Sequence, residues 1–419
     1  MVPHLITALT GPLNELEQRV LESMPAIERW FRLEWMEHTP PFYSAADVHN
    51  AGFKLAALET SLFPRGWNHL SEEMLPLAVQ AAMAAIEKIC PEARNLLLVP
   101  EARADDTEYL ASLAQLRRIF HMAGLNVRLG SIDPALKKTT IVELPGGESI
   151  ALEPVQRSKR RLGLKDFDPC TILLNHALDS GVPGILEELH EQYLLPPLQA
   201  GWSMRRRSTH LKCYEEVAKR LGKLLGIDPW LIYPIADAVR LSDGKADTES
   251  LQATVDAVLA RVRRKFKEYG IKDKPYVLVR PDCGSPGSVV RVLRDAHELT
   301  ELPTTDPSTS GWLVQEGVRT QERLNQAVAE PVVYMMDRYV VGGFYRVHAQ
   351  QSQDDDFNLA DGSYVPLPFA QGTHLPQPGA RIGSSAPNRF YMYGVVARLA
   401  MLAASYELEA TDPEAETYD

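Results

Sequence analysis

A run of small residues between two apolar strands has residue types that could bind phosphate. It reads YVLVRPDCGSPGSVV over residues 276–290, with Arg280 at the end of the first predicted strand. Small residues such as Gly284 and Gly287 let backbone N–H groups approach a phosphate, and the Arg280 cation can neutralise it. The run lacks the Gly-Lys-Ser/Thr sequence of a Walker loop and precedes a strand instead of a helix. An ordinary hairpin is an equal alternative for this segment taken alone.

An apolar strand that ends in an acid and a glycine is the second candidate. It reads WLVQEGV over residues 312–318. The carboxylate of Glu316, which follows Gln315 and lies beside exposed backbone amides, could bind ribose hydroxyls and the edge of an adenine ring. Taken alone, the same pattern is more typical of a strand followed by a turn.

The third candidate combines acids, an amide and arginines near a pair of glycines. Asp337 and Arg338 precede Gly342-Gly343, whose spacing predicts a tight hairpin turn, and Arg346 lies on the predicted return strand. The run DDDFN follows at residues 354–358. Carboxylate and amide oxygens are the ligands that Mg²⁺ prefers while it bridges nucleotide phosphates, and Arg346 would face the substrate anion. A solvated acidic loop is the alternative interpretation of that run.

The composition indicates a globular protein that binds small molecules. The chain has 419 residues, of which 45% are hydrophobic and 24% are charged, so two or three packed domains are expected. A formal net charge of -11 disfavours nucleic acid or an anionic membrane as the main partner, because both favour a basic surface. Small molecules are therefore the expected ligands. The oligomeric state, a homo-oligomer included, stays open.

The cysteines and the start of the chain favour a reducing, cytoplasmic location. Cys90, Cys170, Cys213 and Cys283 are scattered without a CxxC pair, which indicates neither a zinc site nor a disulfide framework. The first three lie in apolar surroundings that predict core positions, whereas Cys283 is expected to be exposed. The N-terminus lacks the basic start and apolar run of a signal peptide, and no charge-free stretch is long enough to span a bilayer.

The elements that must position these residues begin with a predicted βαβ unit in a parallel sheet. Residues 95–99 form a short apolar run, residues 107–123 carry apolar residues at helical spacing, and residues 126–129 follow as a second strand. A further buried strand over residues 170–174 ends at His176, which is either a substrate contact or, more commonly, a structural histidine. Ligands are expected at the carboxyl ends of such strands.

The rest of the chain changes from helices to strands. Amphipathic helices are predicted over residues 209–225 and 251–269, each ended by a glycine. Short strands follow from Tyr276 onward, and a mostly apolar helix over residues 389–407 comes near the end. The element order predicts an α/β fold with a sheet domain in its last third.

The three candidate segments, in this order, resemble the ATP-grasp superfamily, in which two antiparallel sheets clasp ATP. The resemblance extends to the proteobacterial glutamate-cysteine ligase family of ATP-grasp type. The segments that carry it are residues 173–176, residues 181–183, LPPLQAGW at 195–202, GIDPWLI at 226–232, VQEGV at 314–318, residues 331–348 with the run YMMDRYVVGGFYRVH, and NRFYMYGVVARL at 388–399. Together they cover nearly the whole chain.

The resemblance implies an ATP-grasp-like fold with an N-terminal βαβ domain, a helical middle and a C-terminal sheet domain that binds ATP. The implied division is residues 1–176 for the α/β substrate domain, 177–270 for the helical segment and first ATP-grasp part, 271–410 for the sheet domain and 411–419 for an acidic tail. The implied enzyme is an ADP-forming ligase of glutathione biosynthesis. With ATP and Mg²⁺, it would join the γ-carboxylate of L-glutamate to the amino group of a second amino acid, cysteine in this family.

The same resemblance implies roles for single residues. Catalytic arginines are implied at Arg280, Arg338 and Arg346, and Arg346 would stabilise the transferring phosphoryl group and the tetrahedral intermediate. Mg²⁺ ligands are implied at Asp337, Asp356 and Asn358. ATP contacts are implied at Arg207, Lys212, Arg280, Gly284, Gly287, Gln315 and Glu316. Such catalysis relies on positioning and charge neutralisation, so it needs no Ser/His/Asp nucleophile.

Departures from the family pattern leave an alternative of another class open. Arginine stands at Arg280 and Arg207 where lysine is usual, and it presents a planar fork in place of a compact ammonium. The loop after Arg280 is also poorer in glycine than the family's loop. A catalytically inactive, nucleotide-binding regulatory relative would show such changes.

The substrate segments of the N-terminal part resemble the family only partly. FPRGWNHL at residues 63–70 and PEARADD at residues 100–106 follow the ends of elements, where α/β folds place ligands. The candidate substrate contacts are Arg65, Asn68, Glu101 and Arg103. The family is richer in asparagine in the first segment and has polar residues where Ala102 and Ala104 stand. A noncanonical acceptor with a larger or less polar side chain than cysteine is therefore the alternative within the same chemistry.

Overall fold

The structure, a computed structural model, describes residues 5–6, 12–101, 106–145, 147–240, 248–284, 291–299, 311–348, 363–367 and 389–413. The helices in these ranges are α1 (Pro12–Glu22), α2 (Met24–Glu37), α3 (Leu75–Ile89), α4 (Thr107–Met122), α5 (Arg207–Leu225), α6 (Thr248–Glu268) and α7 (Arg389–Ala410). The strands are β1 (Leu5–Ile6), β2 (Tyr43–Asn50), β3 (Leu55–Ser61), β4 (Asn95–Pro100), β5 (Asn126–Ser131), β6 (Thr140–Glu143), β7 (Ser149–Pro154), β8 (Gln156–Ser158), β9 (Arg161–Gly163), β10 (Thr171–Asn175), β11 (Tyr193–Leu195), β12 (Ala236–Arg240), β13 (Val277–Pro281), β14 (Arg291–Leu293), β15 (Gly311–Glu316), β16 (Arg323–Leu324), β17 (Ala327–Met336), β18 (Tyr339–His348) and β19 (Ser363–Pro366).

A six-stranded sheet, in the order β11-β10-β4-β5-β7-β6, contains the predicted βαβ unit. Strands β4 and β5 pair in parallel and α4 connects them, so that prediction is confirmed. The run Leu96 to Val99 is buried on both sheet faces, as a parallel strand covered by helices requires. Asp106 caps α4, because its carboxylate accepts a hydrogen bond from the Glu108 N–H. The carboxyl ends of β4, β5 and β10 lie at one edge of this sheet.

A four-stranded antiparallel sheet, in the order β12-β15-β13-β14, carries the predicted phosphate and adenine segments. Helix α6 packs on this sheet through an apolar stripe at helical spacing that includes Leu251, Val255 and Leu259. The helices α5 and α6 match their predictions. Helix α5 ends at Gly226, whose φ of 65° is in the left-handed region that glycine adopts readily at helix ends.

A seven-stranded sheet joins distant parts of the chain. Its main path is β1-β16-β17-β18-β19. Strand β2 pairs with β17 on the side opposite β18, and β3 pairs with β2. Strands β2 and β3 therefore lie in the same sheet as residues 327–348, although the predicted division places them in an N-terminal domain. The sequence of β2, YSAADVHN, has little of the β-branched and aromatic enrichment that marks strands, so it was not predicted.

The predicted hairpin turn at Gly342-Gly343 is wrong, because both glycines lie inside β18. The chain reverses at Asp337 and Arg338, where Asp337 adopts a left-handed φ of 48°. The glycines serve close packing instead. A Cβ at Gly343 would lie 2.4 Å from the Val332 carbonyl oxygen, and one at Gly342 would lie 2.6 Å from Met74 Sδ on the helix side.

Helix α7 lies against α5 and the seven-stranded sheet and is apolar on nearly all sides. One buried charge network fixes it, because Arg205 donates three hydrogen bonds of 2.9 to 3.0 Å to the Glu407 carboxylate, and His210 Nδ1 lies 3.0 Å from the same group. Breaking such a buried pair costs about 3–5 kcal/mol. Within the described ranges, no helix combines the length and the apolar character needed to cross a bilayer.

Candidate active site

A cavity of about 1060 Å³ lies between the seven-stranded sheet and the edge of the parallel sheet. One wall, which we call the sheet wall, carries Asp47 on β2, Glu59 on β3 and Arg346 on β18. The opposite wall, which we call the loop wall, carries Arg65, Glu101, His176 and the segment 177–183. Glu101, Ile132 and His176 directly follow β4, β5 and β10, so the cavity lies where parallel sheets place their ligands.

Arg346 is the cation of the sheet wall. Its Nη1 lies 3.5 Å from Asp47 Oδ2 and 3.9 Å from Glu330 Oε2, and the side chain is 25% exposed. The nearby carboxylate of Asp47 raises the pKa of Arg346 above its already high usual value, against the effect of burial. Arg346 therefore keeps its positive charge at every working pH.

A second layer of charges holds Arg346 in place. Glu330 is buried, and its carboxylate lies 3.1 Å from His348 Nε2 and 4.0 Å from His49 Nε2. Burial alone would raise the pKa of Glu330, but the hydrogen bond from His348 and the charges around it lower the pKa overall. Glu330 is thus an anion that anchors Arg346 from behind the cavity surface.

Glu59 connects the sheet wall with two further arginines. Its Oε2 accepts hydrogen bonds from Arg280 Nη1 at 2.8 Å and from Arg207 Nε at 3.1 Å. Burial alone would raise the pKa of Glu59, but the two arginines lower it to about 2. The predicted phosphate-binding arginines therefore lie together directly behind the cavity, although Arg207 and Arg280 are 73 positions apart in the sequence.

A β-bulge aims a backbone oxygen at Arg280. The register between β2 and β3 shifts after the pair Asp47 and Glu59, which leaves Leu58 without a partner in the ladder. The Leu58 carbonyl accepts hydrogen bonds from Arg280 Nη2 at 3.0 Å and from Gln315 Nε2 at 3.2 Å. Arg280 Nη2 also donates to Gln315 Oε1 at 2.7 Å. Arg280 Nε is buried and has no partner among the described residues, so it can donate to one more acceptor.

The loop wall is held by Glu101. Its Oε1 accepts hydrogen bonds from Arg65 Nη2 at 3.1 Å and from the Ala177 N–H at 3.0 Å. The Arg65 guanidinium also lies 4.5 Å from the centre of the Tyr109 ring, yet 53% of its side chain is exposed. Arg65 is therefore a reachable cation that is only loosely fixed.

His176 makes a structural hydrogen bond and also lines the cavity, so both interpretations of its sequence position remain possible. Its Nδ1 accepts the Leu178 N–H at 3.1 Å, so the neutral ring carries its proton on Nε2. Glu101 Oε2 lies 3.5 Å from the same Nδ1. The ring lines the cavity and can offer the Nε2–H to an acceptor there.

Glu316, predicted to contact ribose and adenine, is a buried structural residue. Its carboxylate accepts hydrogen bonds from Lys54 Nζ at 2.6 Å, from the Ile235 N–H at 2.9 Å and from Trp230 Nε1 at 3.1 Å. The β2–β3 turn inserts Lys54, which is fully buried, and burial lowers the pKa of Lys54 to about 8. The strand end could not indicate this pairing, because the lysine comes from 262 positions away, and the predicted nucleotide contact of Glu316 stays a prediction.

Asp337 and Arg338 do not line the cavity. They form the β17–β18 turn, which is roughly 24 Å of strand from Arg346 at the usual rise per residue. Lys88 Nζ lies 3.6 Å from Asp337, and Arg338 Nε donates to the Tyr339 hydroxyl at 3.2 Å. The structure thus does not bring Asp337 or Arg338 to the candidate site, and their predicted roles stay predictions.

The remaining predicted residues have mixed positions. Asn68 donates a hydrogen bond to Glu108 at 3.1 Å beside the loop wall and does not line the cavity. Lys212 is exposed on α5, away from the arginines around Glu59. The Gly284 carbonyl accepts a hydrogen bond from Arg207 at 2.9 Å. The predicted residues that lie outside the described residues are Arg103, Gly287, Asp356 and Asn358.

No metal site is assembled in the described part of the chain. Its residues contain no group of three or more His, Cys, Asp or Glu side chains that could hold a metal ion. The Mg²⁺ prediction therefore depends on Asp356 and Asn358 and has no support at Asp337.

A second cavity of about 390 Å³ lies at the other end of β13, beside Tyr276 and Gly317. The hydroxyl of Thr320 and the Nη1 of Arg323 line it, and both atoms are buried without a partner among the described residues. These polar groups can bind a polar or anionic ligand. Tyr276 and Arg280 are four positions apart on an extended segment, which corresponds to about 13 Å.

Asp47, Glu59 and Glu330 are the residues of the candidate site that sequence reasoning missed. Each is a carboxylate in a strand whose neighbours are mostly buried. An acid within an otherwise buried strand is the one signal that could have identified them, because an ionised group there requires a partner.

A comparison with known protein families gives a match over most of the chain. The model of the family described as glutamate-cysteine ligase matches residues 17–408. The chain belongs to the glutamate-cysteine ligase family. The family assignment confirms the resemblance to glutamate-cysteine ligases, whereas the ATP-grasp placement and the roles of single residues stay predictions.

A solved structure extends the comparison to the fold. The crystal structure of a putative gamma-glutamylcysteine synthetase from Methylobacillus flagellatus KT is 46% identical in sequence and superposes with a TM-score of 0.91. The match covers 98% of this chain and 100% of the other. A search of curated proteins gave no match.

Proposed function

We propose that this protein is an ATP-dependent ligase that joins the γ-carboxylate of L-glutamate to the amino group of a second amino acid, with release of ADP and phosphate. Cysteine is the acceptor that the family name indicates. The observation that carries the proposal is one cavity with arginines on opposite walls, Arg346 on a sheet and Arg65 on a loop, and with Arg280 and Arg207 directly behind it. Glutamate and phosphate are both anions that such a cavity would bind.

Glutamate would lie across the cavity, with its γ-carboxylate toward Arg346 and its α-carboxylate toward Arg65. A γ-carboxylate oxygen attacks the γ-phosphorus of ATP, the bond between that phosphorus and ADP breaks, and γ-glutamyl phosphate forms. The buried Nε of Arg280 has no partner among the described residues, which supports the role of Arg280 as a phosphate ligand. Charge neutralisation by preorganised arginines is the main source of catalysis in phosphoryl transfer.

The nucleotide would follow β13 between the two cavities, which is the ATP-grasp arrangement that we propose for this chain. The second cavity, beside Tyr276 and Gly317, is the proposed place of the adenosine end, since Glu316 is occupied by Lys54. Its distance of about 13 Å from Arg280 suits a nucleotide whose phosphates reach that arginine. Mg²⁺ would accompany ATP and neutralise part of its phosphate charge, and its predicted ligands Asp356 and Asn358 lie outside the described residues.

An acceptor larger or less polar than cysteine is the second candidate, and one feature favours it. Ile132, Pro134, Val182 and Pro183 give the cavity an apolar part next to the charged loop wall. An apolar surface of this kind stabilises an aliphatic or aromatic side chain by about 25 cal/mol per Å² buried. We place the reaction in the cytoplasm, where ATP and free amino acids occur together.

Purified protein with glutamate, MgATP and each amino acid in turn tests the proposal. The expected result is ADP formation that requires both glutamate and an acceptor, with a γ-glutamyl dipeptide detected by mass spectrometry. The acceptor that gives the highest kcat/KM identifies the second substrate. Absence of ADP formation with every amino acid would contradict a ligase and favour the inactive, nucleotide-binding alternative.

A further inference from the structure

Asp47 lies beside Arg346 on the sheet wall and is held by fewer hydrogen bonds than its neighbour Glu59. It lies directly opposite Glu59 in the β2–β3 ladder, so both carboxylates face the cavity from adjacent strands. Glu59 Oε2 accepts two arginine hydrogen bonds of 2.8 and 3.1 Å, whereas Asp47 has a single arginine contact of 3.5 Å. Asp47 is 28% exposed, which lets a ligand in the cavity reach its second oxygen.

Charged and titratable groups on four strands surround Asp47 and its neighbour Glu59. Arg346 faces it from β18, Glu59 from β3 and Tyr334 from β17, and Arg280 lies behind Glu59 on β13. The two arginines on Glu59 lower the pKa of that carboxyl to about 2, which makes Glu59 a very weak base. Asp47, with its one longer arginine contact, is therefore better placed than Glu59 to act as a general base.

We propose that Asp47 accepts the proton of the acceptor's ammonium group as the amine attacks γ-glutamyl phosphate, an inference that rests on the proposed function. The ammonium gives one proton to Asp47, and its nitrogen forms a bond to the γ-carbonyl carbon. The bond between that carbon and the phosphate oxygen breaks, the leaving phosphate takes the second proton of the nitrogen, and Asp47 returns its proton to solvent. Arg346, at 3.5 Å from Asp47, stabilises the oxyanion of the intermediate.

Hydroxylamine separates this role from the rest of the reaction, because it is an unprotonated nucleophile at neutral pH. Wild-type protein with glutamate, MgATP and hydroxylamine should give γ-glutamyl hydroxamate, and with the acceptor amino acid it should give dipeptide. In Asp47→Asn, hydroxamate formation should stay within about threefold, while dipeptide formation should fall on the order of 10²-fold or more, which is typical of a lost general base. Asp237→Asn, which changes an exposed strand carboxylate on β12, is the matched control and should leave both rates unchanged.

Equal losses of hydroxamate and dipeptide in Asp47→Asn, or no loss of either, would overturn the role of Asp47. A wild-type protein that forms no hydroxamate would instead refute the proposed function on which the role depends. A circular dichroism melt identifies a variant that fails to fold, and Asp47→Glu then supplies the test, because it keeps the carboxylate and should retain more dipeptide formation than Asp47→Asn.

A different observation carries a second inference, independent of the ligase. The Sγ atoms of Cys90 and Cys170 lie 3.3 Å apart, although the sequence predicts unrelated core positions for them. Cys90 follows the end of α3 and Cys170 precedes β10, and both are free and partly exposed. Two accessible thiols in contact can close to a disulfide with only small movements.

We infer that Cys90 and Cys170 form a redox modification site that reacts with low-molecular-weight disulfides. One thiolate attacks the small disulfide and releases one small thiol, and the second cysteine attacks the mixed disulfide and releases the other. The Sγ–Sγ bond replaces the bond of the small disulfide, whose two sulfurs leave as thiols. The site lies at the amino end of β10, whereas His176 follows its carboxyl end, so turnover should change less than about twofold while the melting temperature rises by several degrees.

Treatment of the full chain with cystine, followed by peptide mapping under non-reducing conditions, tests this site. A cross-linked peptide pair that contains Cys90 and Cys170 is the expected product. In Cys170→Ser, Cys90 should instead retain one cysteine as a mixed disulfide. Mixed disulfides at both positions of the wild-type chain, or two unmodified thiols, would overturn the inference.

Discussion

The two walls of the cavity differ in how their charges are held. On the sheet wall, Arg346 is 25% exposed and contacts Asp47 and Glu330, which come from two other strands of the same sheet. On the loop wall, Arg65 is 53% exposed and has one carboxylate partner, Glu101. The sheet wall is therefore rigid and preorganised, as charge stabilisation in a transition state requires, whereas the loop wall can adapt to a substrate.

Under the proposed function, we expect the chemistry at the sheet wall and substrate binding at the loop wall. Changes on the sheet wall should lower kcat or the stability of the fold. Changes on the loop wall should raise KM and leave turnover nearly intact.

Arg346→Lys should lower kcat on the order of 10²- to 10³-fold, because lysine keeps the charge but loses the guanidinium fork at the reacting centre. Glutamate-dependent ADP formation measures the loss, and the melting temperature should change little. Arg338→Lys, at the β17–β18 turn, is the comparison and should retain wild-type activity. A loss in Arg338→Lys that equals the loss in Arg346→Lys would break the assignment of the site.

Glu59 should contribute to stability in a pH-dependent way. The folded protein holds its pKa at about 2, below the ordinary value of 4.5, so its contribution is present above pH 4.5 and is lost as the pH falls toward 2. The linkage amounts to roughly 3 kcal/mol of the free energy of unfolding. Urea unfolding of Glu59→Gln should therefore show a large deficit against wild type at pH 5 that shrinks at pH 3.

The control for Glu59 is Glu72→Gln, which removes an exposed carboxylate that pairs with Arg118. Exposed pairs contribute little, so its deficit should stay below about 1 kcal/mol at both pH values. A deficit for Glu59→Gln that does not depend on pH would show that the charge pairs of the sheet wall do not stabilise the fold.

Arg65→Ala should have the smallest effect, an increase of about tenfold in the KM for glutamate with kcat within about threefold. An exposed arginine contributes binding that is equal in the ground state and the transition state, so its loss changes KM alone. Steady-state kinetics with glutamate as the varied substrate measure both constants, and Arg65→Lys should give an intermediate KM. A large fall in kcat would place chemistry on the loop wall and reverse the comparison.

The sequence predicted the local elements well, because their signals are local. The βαβ unit, the helices α5 and α6 and the strand β13 follow from apolar periodicity and glycine ends. The pairing of β2 with β17 could not be predicted, since it joins residues almost 290 positions apart, as in Val332 and Asp47. No periodicity within either strand encodes that contact.

The candidate site was predictable where a motif or a strand end marked it. Arg346, Arg280, Arg65 and Glu101 were identified in this way, whereas Asp47 and Glu59 depend on the unpredicted strands. Glu316 shows the opposite case, because its motif was found but its contact with Lys54 could not be predicted. A carboxylate at a strand end binds a ligand only if no residue of the same chain reaches it first.

The proposed function requires that glutamate is activated as γ-glutamyl phosphate. Transfer of an oxygen atom from the glutamate carboxylate to phosphate is a direct test of that step. Glutamate labelled with ¹⁸O in the γ-carboxylate is incubated with MgATP and the best acceptor, and the phosphate released is analysed by mass spectrometry. Each phosphate should carry one ¹⁸O atom from glutamate, because the bond between the side-chain carboxyl carbon and the bridging oxygen breaks in the second step. Unlabelled phosphate, formed while dipeptide accumulates, would contradict activation as γ-glutamyl phosphate.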